Sequence, residues 1–181
     1  KPVFENIKDA EIIIDLAKKN NVFFCGGSAL RFCDLVNKLK QEKSADNSYL
    51  IIGPSRCIDM GEDSRFDNVN FYGYHLVEIL LELIGNDIKS SDFYFNKGDF
   101  YVNIKSKNGS GRIILLDNIN ESYFLGKTIN SNLKMSEILL DGSYNLNLIK
   151  KLIKSYKNKN PLIEHKSSFN SFSILNKMNH I

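Results

Sequence analysis

The sequence contains few residues of the types that form disulfide bonds or bind metal ions. Its 181 residues include no tryptophan, three cysteines and three histidines. Three is an odd number of cysteines, and they lack the spacing of metal ligands, which argues against a disulfide scaffold or a zinc site. A reducing compartment is the default for such a chain, so we expect a cytoplasmic protein without a bound metal.

Long apolar runs and an excess of one charge are also missing. No run approaches the roughly 20 apolar residues that cross a bilayer. The net charge of +3, from 24 basic and 21 acidic residues, is too even to argue for nucleic acid. We therefore expect neither a membrane nor a nucleic-acid partner. The chain shows no signal peptide and begins without Met, so we expect residues 1–181 to form a single domain of a longer polypeptide.

The apolar residues, 43% of the chain, occur in short runs that alternate with helical patterns. We predict strands at 22–25, 49–52, 112–116, 138–140 and 172–175, helices at 9–18, 30–40, 69–83 and 146–156, and a hairpin around 96–99. Short buried strands between helices are typical of a parallel sheet. The predicted fold is a three-layer, Rossmann-like α/β domain with a mostly parallel sheet and helices on both faces.

The most informative segment is the turn Gly26-Gly27-Ser28, which lies between an apolar run and a helical pattern. A helix start offers unpaired backbone N–H groups and a partial positive charge, which suit a phosphate. Glycines allow close approach of the backbone, and Ser28 is a residue type that caps helices. Many α/β units also turn on two glycines without binding anything, so both interpretations stay open here.

Arg56 follows the next predicted strand, after Gly53, Pro54 and Ser55. Ligands of parallel α/β sheets bind beyond the carboxyl ends of the strands. Arg56 and the glycine turn are therefore expected to meet in one anion site, because a guanidinium and backbone donors suit a phosphate dianion. The alternative is that Arg56 pairs with one of the acids that follow it, Asp59, Glu62 or Asp63.

The order of these features resembles the 6-phosphogluconolactonase family, which shares its fold with the glucosamine-6-phosphate deaminases. Residues 22–39 match its strand, Gly-Gly-Ser turn and helix, residues 50–56 match its second strand end with an arginine, and residues 138–175 match its C-terminal segment. The resemblance implies a lactonase-like or deaminase-like fold and a role in the pentose phosphate pathway, without a cofactor. It also implies a sugar-phosphate ligand, held by Gly26, Gly27, Ser28, Arg56 and Lys127.

Two parts of the family's catalytic machinery have no counterpart in this chain. Its Gly-His-Thr loop is absent after residues 112–116, and so is the acid pair before Arg56. Hydrolysis of a carboxylic ester needs a base within reach of the attacking water. The resemblance therefore implies a catalytically degenerate domain, unless Asp117, Glu121 or His165 supplies the base. The alternative is a non-catalytic α/β module that binds a protein partner or a fused domain, and the catalytic residues are left unassigned.

Three further groups receive a structural interpretation. His75, at the border of the apolar stripe of its helix, is predicted to be a half-exposed structural histidine. Cys25 is read as a small buried apolar residue rather than a nucleophile, since the sequence places no partner beside it. The lysines at 150–159 fall mostly on one face of a predicted helix, which is typical of a solvated surface.

Overall fold

The computed structural model describes residues 7–23, 26–42, 47–56 and 69–180. The helices are α1 (Ile7–Lys19), α2 (Asp34–Gln41), α3 (Val69–Ile84), α4 (Ser143–Lys157) and α5 (His165–Met178), with a 3₁₀ helix at Ala29–Phe32. The strands are β1 (Ser48–Pro54), β2 (Ile88–Asn96), β3 (Asp99–Ser106), β4 (Ser110–Leu116), β5 (Phe124–Ile129) and β6 (Asn132–Glu137).

The six strands form one mixed sheet in the order β2-β3-β4-β1-β5-β6. Among the strands of the described residues, β1 and β4 alone pair in parallel, and the other four pairs are antiparallel. The predicted mostly parallel sheet is therefore wrong. The reason lies in the connections: α3 is the crossover from β1 to the β2-β3-β4 meander, while β5 and β6 are joined by a short turn, and short turns produce antiparallel neighbours.

Helix α3 is the centre of the domain. It is apolar nearly all round, as is typical of a helix buried on every side. One side packs on β1 and β4, while α5, α2 and the 3₁₀ helix lie against its other sides. The layers are thus the sheet, α3 and the outer helices. The prediction of helices on both faces of the sheet is wrong for the described residues, whose helices all stack on one side.

The predicted helices at 9–18, 69–83 and 146–156 are confirmed, as are the strands at 49–52 and 112–116 and the hairpin. The predicted helix at 30–40 is interrupted at Cys33, between the 3₁₀ helix and α2. Residues 138–140 form no strand, and β5 and β6 were not predicted at all. Val22 and Phe23 have no regular structure, and the rest of that predicted strand lies outside the described residues.

The predicted strand at 172–175 lies inside helix α5. The buried positions of α5 recur at helical spacing, but three of them are the serines Ser167, Ser168 and Ser171. The spacing of apolar residues does not reveal buried serines. Only the short apolar run around Ile174 was therefore recognised, and it was predicted to be a strand. No helix in the described parts of the chain has the length and apolar character to span a membrane.

Candidate functional site

A histidine and a glutamate of α3 face the glycine turn. His75 and Glu78 are three residues apart, and on a helix this spacing places them on one side. The Ser28 hydroxyl lies 2.6 Å from His75 Nδ1, and the Ser28 backbone N–H donates to Glu78 Oε2 at 3.4 Å. His75 is 7% exposed, and Ser28 and Glu78 are fully buried. The histidine is therefore buried, which corrects the prediction of a half-exposed side chain.

Two aromatic rings hold the His75 imidazole. The Phe71 ring stands edge-on to it with centroids 6.3 Å apart, and the Tyr123 ring lies 5.7 Å away. Tyr123 also covers Gly53 near the end of β1, where an added Cβ would lie 2.9 Å from Tyr123 Cδ1. His75 is thus placed near the carboxyl end of the parallel pair β1 and β4, the region where α/β sheets bind ligands.

A buried ion network continues from Glu78. Arg31, 3% exposed, donates from Nη1 to Glu78 Oε2 at 2.6 Å and from Nη2 to Glu82 Oε2 at 2.9 Å. Both terminal nitrogens of Arg31 also donate to Ser167 Oγ at 3.1 Å, and the Ser171 hydroxyl donates to Glu78 Oε1. A network whose members are hydrogen-bonded fixes the relative positions of the elements that carry it, here the 3₁₀ helix, α3 and α5.

The charges of this network shift its pKa values. Burial alone would raise the pKa of Glu82, but Arg31 and Lys40 outweigh burial and hold that pKa below the ordinary value of 4.5. For Arg31, burial alone would lower the pKa, while the carboxylates of Glu78 and Glu82 raise it. Both groups are therefore charged at neutral pH.

Replacing Glu82 by glutamine should lower the free energy of unfolding at pH 7 by roughly 1.5–3 kcal/mol, the usual contribution of hydrogen bonds to charged groups. Because the folded pKa of Glu82 is lowered, its stabilisation is present above about pH 4.5 and is lost as the pH falls through the folded value. Urea denaturation of both chains between pH 7 and about pH 3 measures this difference. A difference that stays constant down to the acid end would contradict the assignment.

The glycine turn precedes a four-residue 3₁₀ helix rather than the predicted α-helix. Ser28 does cap it, since the Leu30 N–H donates to Ser28 Oγ at 3.2 Å. The Ser28 N–H, however, faces the Glu78 carboxylate, and an added Cβ on Gly27 would lie 2.9 Å from Glu78 Oε2. The chain's own carboxylate thus takes the place expected for a phosphate, and like charges repel. Phosphate binding by Gly26, Gly27 and Ser28 stays a prediction, with this carboxylate against it.

The other two predicted phosphate ligands, Arg56 and Lys127, lie in different parts of the structure. Arg56, 46% exposed, forms a two-pronged ion pair with Asp117, with Nε and Nη2 at 3.1 and 3.2 Å from the two carboxylate oxygens. It therefore pairs with an acid, although a different one from those expected, which lie outside the described residues. Lys127 is buried on β5, where it donates to the Glu42 carbonyl and lies over the Tyr49 ring.

Lys127 and Arg56 belong to opposite ends of β1. Lys127 pairs with Tyr49 near the start of this strand, whereas Arg56 follows its last residue, Pro54. Successive residues of a strand advance by about 3.3 Å, so the two positions lie far apart along the sheet. The antiparallel course of β5 produces this arrangement, and the two cations do not share one pocket.

Of the three remaining candidates for a base, His165 is the first residue of α5, and the other two have structural partners. Asp117 is held by Arg56, and Glu121 Oε1 accepts from the Tyr123 hydroxyl at 3.0 Å. Burial raises the pKa of the Cys33 thiol, which disfavours a reactive thiolate. No group of three or more metal-binding side chains occurs among the described residues. Cys25 and the acids at 59–67 lie outside them.

The sequence interpretation missed the roles of Arg31 and Glu78, although both leave a signal. Glu78 is a single acid within the apolar stretch of α3 from Leu76 to Leu81. Arg31 stands in the apolar run that follows Ser28. A charge at a buried position usually has an opposite charge beside it. The two together therefore predict an ion pair between α3 and the 3₁₀ helix.

The fold is one that solved dehydrogenases share, whereas no protein-family model and no curated protein matches the sequence. A dehydrogenase (MviM) from Clostridium difficile aligns with 100% of this chain at 16% identity and a TM-score of 0.67. The UDP-N-acetylglucosamine 3-dehydrogenase GnnA from Acidithiobacillus ferrooxidans aligns with 98% of it, at 12% identity and 0.66. The WlbA (WbpB) dehydrogenase from Thermus thermophilus, solved in complex with NAD and UDP-GlcNAcA, aligns with 100% of it, at 11% identity and 0.70.

These similarities overturn the resemblance to 6-phosphogluconolactonases and glucosamine-6-phosphate deaminases, together with the role in the pentose phosphate pathway that it implied for a degenerate lactonase-like domain. The reason for the error is that the matched features were strand ends and turns, whose order along the chain is compatible with more than one strand arrangement. The chain spans about two thirds of the dehydrogenases' length, between 63% and 70%.

Proposed function

We propose that this chain is the sugar-binding part of a nicotinamide-dependent sugar dehydrogenase, whose dinucleotide is bound by another segment or another chain. The fold supports this, since dehydrogenases share it over the full chain. One of the similar proteins is a UDP-N-acetylglucosamine 3-dehydrogenase, and another was solved in complex with NAD and UDP-GlcNAcA. The observation that carries the proposal is the buried His75, held near the carboxyl end of the parallel strand pair by Ser28 and two aromatic rings.

The described residues do not fit a dinucleotide. A dinucleotide-binding fold has a mostly parallel sheet, with a Gly-x-Gly-x-x-Gly turn between the first strand and a helix. This sequence contains no such motif, and only one of the five strand pairs is parallel. The glycine turn that is present faces the Glu78 carboxylate, which repels a pyrophosphate. For this reason we assign no step of cofactor chemistry to these residues.

His75 is the residue that we assign to proton transfer. Oxidation of a sugar hydroxyl releases the hydroxyl proton, and an imidazole is the side chain best suited to accept it near neutral pH. The contact with Ser28 orients the ring and engages one of its nitrogens. Glu78 accepts hydrogen bonds from the Ser28 backbone N–H and from Arg31. The buried ion network therefore fixes the position of the serine that contacts the imidazole.

The proposal predicts that UDP-N-acetylglucosamine, used as the probe, stabilises the chain and that NAD⁺ does not. A ligand at 100 times its Kd adds about 2.7 kcal/mol to the free energy of unfolding. Isothermal titration and thermal unfolding measure this. The His75→Ala variant should bind the sugar nucleotide at least about tenfold more weakly, equivalent to about 1.4 kcal/mol. His180→Ala, a change at an exposed histidine, is the matched control and should bind like the parent chain.

Three results would overturn the proposal. They are the absence of any response to the sugar nucleotide, a response that His75→Ala leaves unchanged, and tight binding of NAD⁺ to this chain alone. The last result would place the dinucleotide within these residues, against the geometry of the sheet.

A further inference from the structure

A pocket of about 620 Å³ opens where α1 and α4 end and α5 begins. Its volume lies within the range of roughly 300–1,000 Å³ that is usual for small-molecule sites. His75 and its contacts Ser28, Phe71 and Tyr123 are not among the described residues that line it. We call it the α1–α4 pocket. The proposed sugar dehydrogenase function does not account for it.

One part of the α1–α4 pocket is apolar and aromatic. The Phe23 and Tyr156 rings meet edge to face, with centroids 6.0 Å apart and planes at 88°. Phe23 is 37% exposed, Tyr156 71% and the neighbouring Val22 60%. Aromatic rings favour offset-stacked or edge-to-face neighbours. This part of the pocket is therefore suited to a further planar ring, such as a nucleobase.

The α1–α4 pocket is also lined by positive charge. Lys18 belongs to the last turn of α1, Lys157 is the last residue of α4, and Lys159 follows that helix. None of the described lining residues is an acid. Asp15 lies 3.8 Å from the Lys18 ammonium, but both side chains are more than half exposed, and such pairs are weak. The pocket therefore complements a ligand with several negative charges, and lysine is a common binder of phosphate.

The backbone at Lys159 is unusual for a lysine. Helices α1 and α4 both end in a Schellman motif, whose outer hydrogen bond is 2.9 Å in α1 and 3.2 Å in α4. The residues in the left-handed conformation are Asn21, with φ 52°, and Lys159, with φ 54°. Glycine and asparagine are usual at this position. The helix dipole favours cations within the last turn, which explains Lys157 but not a lysine beyond it. A strained lysine that lines a pocket indicates a functional side chain.

We propose that the α1–α4 pocket binds a nucleoside phosphate that carries a terminal phosphate group. The base lies against Phe23 and Tyr156, since bases of any sequence stack on aromatic side chains. The phosphates lie among Lys18, Lys157 and Lys159. NAD⁺ and UDP-N-acetylglucosamine have no terminal phosphate group and do not belong to this class of ligand.

Isothermal titration of the full chain with magnesium-free ATP at millimolar concentrations tests the proposal, and we expect binding at one site. Inorganic tripolyphosphate carries a similar charge without a ring, and should bind about tenfold more weakly or less. Tyr156→Ser removes the more exposed ring and should weaken ATP binding by about tenfold. Tyr94→Ser is the matched control, because Tyr94 is a 63% exposed tyrosine of β2, and it should bind ATP like the parent chain.

Lys159→Asn gives a readout that a purely structural role would not give. Asparagine suits the left-handed position better, so this variant should raise the Tm by about 1–3 °C. It should nevertheless weaken ATP binding by about fivefold, because one cation is lost from the pocket. Lys150→Asn removes the same charge from the exposed side of α4, outside the pocket, and should leave the affinity for ATP unchanged.

Three results would overturn the proposal: no binding of ATP, tripolyphosphate binding as tightly as ATP, or parental affinity in the Tyr156→Ser and Lys159→Asn chains. ATP binding that His75→Ala weakens would overturn it too, since that result places ATP beside His75. The proposed sugar dehydrogenase function stands or falls separately, because UDP-N-acetylglucosamine should bind the Tyr156→Ser chain as it binds the parent.

Discussion

Replacing Glu78 by alanine should lower the free energy of unfolding by about 3–5 kcal/mol, the cost of removing one partner of a buried ion pair, and Arg31 would keep Glu82 alone. The Arg31 guanidinium would lose its 2.6 Å contact with Glu78 while remaining almost fully buried. The Ser28 N–H would lose its acceptor at the same time, and the Ser171 hydroxyl would keep only the Ser167 carbonyl. Urea denaturation at pH 7, followed by circular dichroism, measures the effect.

Lys40→Met is the matched control, since it removes a cation from the same network at a position 43% exposed. Exposed ion pairs contribute about 0–1 kcal/mol, so this variant should stay close to the parent chain. The double variant Arg31→Met with Glu78→Leu should recover part of the loss, because both members of the buried pair are then apolar. A loss of unfolding free energy below about 1 kcal/mol for Glu78→Ala would contradict this assignment, because a contribution that small is typical of ion pairs exposed to water.

The second large effect concerns the contact between α3 and the sheet. Leu80 of α3 is fully buried, and its Cδ1 occupies the place of a Cβ on Gly111 of β4. Leu80→Ala should lower the free energy of unfolding by about 2–5 kcal/mol, through lost burial and the cavity left behind. Gly111→Ala should lower it by about 1–3 kcal/mol, because the added methyl group overfills the same space.

The double variant Leu80→Ala with Gly111→Ala tests this close approach directly. The smaller side chain at position 80 makes room for the new methyl group, so the two effects should be non-additive by about 0.5–3 kcal/mol. Leu139→Ala, at a position 66% exposed, serves as the control and should change the stability by less than about 0.5 kcal/mol. Additive losses at positions 80 and 111 would show that the helix and the strand do not meet as the structure has them.

The helices and strands that could be predicted are those in which apolar residues recur at a regular spacing within the segment itself. Helices α1, α3 and α4 and strands β1 and β4 follow from the spacing of apolar residues within each segment. Helix α5 was mistaken for a strand because its buried positions include serines, and their partners, Arg31 and Glu78, are distant in the sequence. The β5-β6 hairpin escaped because β6 is an edge strand exposed at every position, and its two apolar residues, Leu133 and Met135, make too short an alternation to stand out.

The candidate site was also hard to predict, because it depends on contacts between residues that are distant in the sequence. His75 was visible as a residue, but its burial depends on Ser28, 47 positions earlier in the chain. Arg56 was placed beside the glycine turn on the expectation of a mostly parallel sheet, and Lys127 was added to them through the resemblance to lactonases. Once β5 runs antiparallel to β1, Lys127 belongs to the opposite end of the sheet. The resemblance to lactonases depended on the order of strand ends and turns along the chain, which does not fix the directions of the strands.

By itself, then, the sequence determined the α/β class, most of the helices, the β2-β3 hairpin and the turn at Gly26-Gly27-Ser28. These depend on forces between residues close in the chain: the period of burial, the demands of tight turns and the propensities of short segments. Only the tertiary structure decided the strand directions, the stacking of the described helices on one side of the sheet, the pairing of Ser28 with His75 and the carboxylate at the expected phosphate site. Those features arise where distant segments pack, and the free energy that selects among such arrangements comes from contacts that no single segment contains.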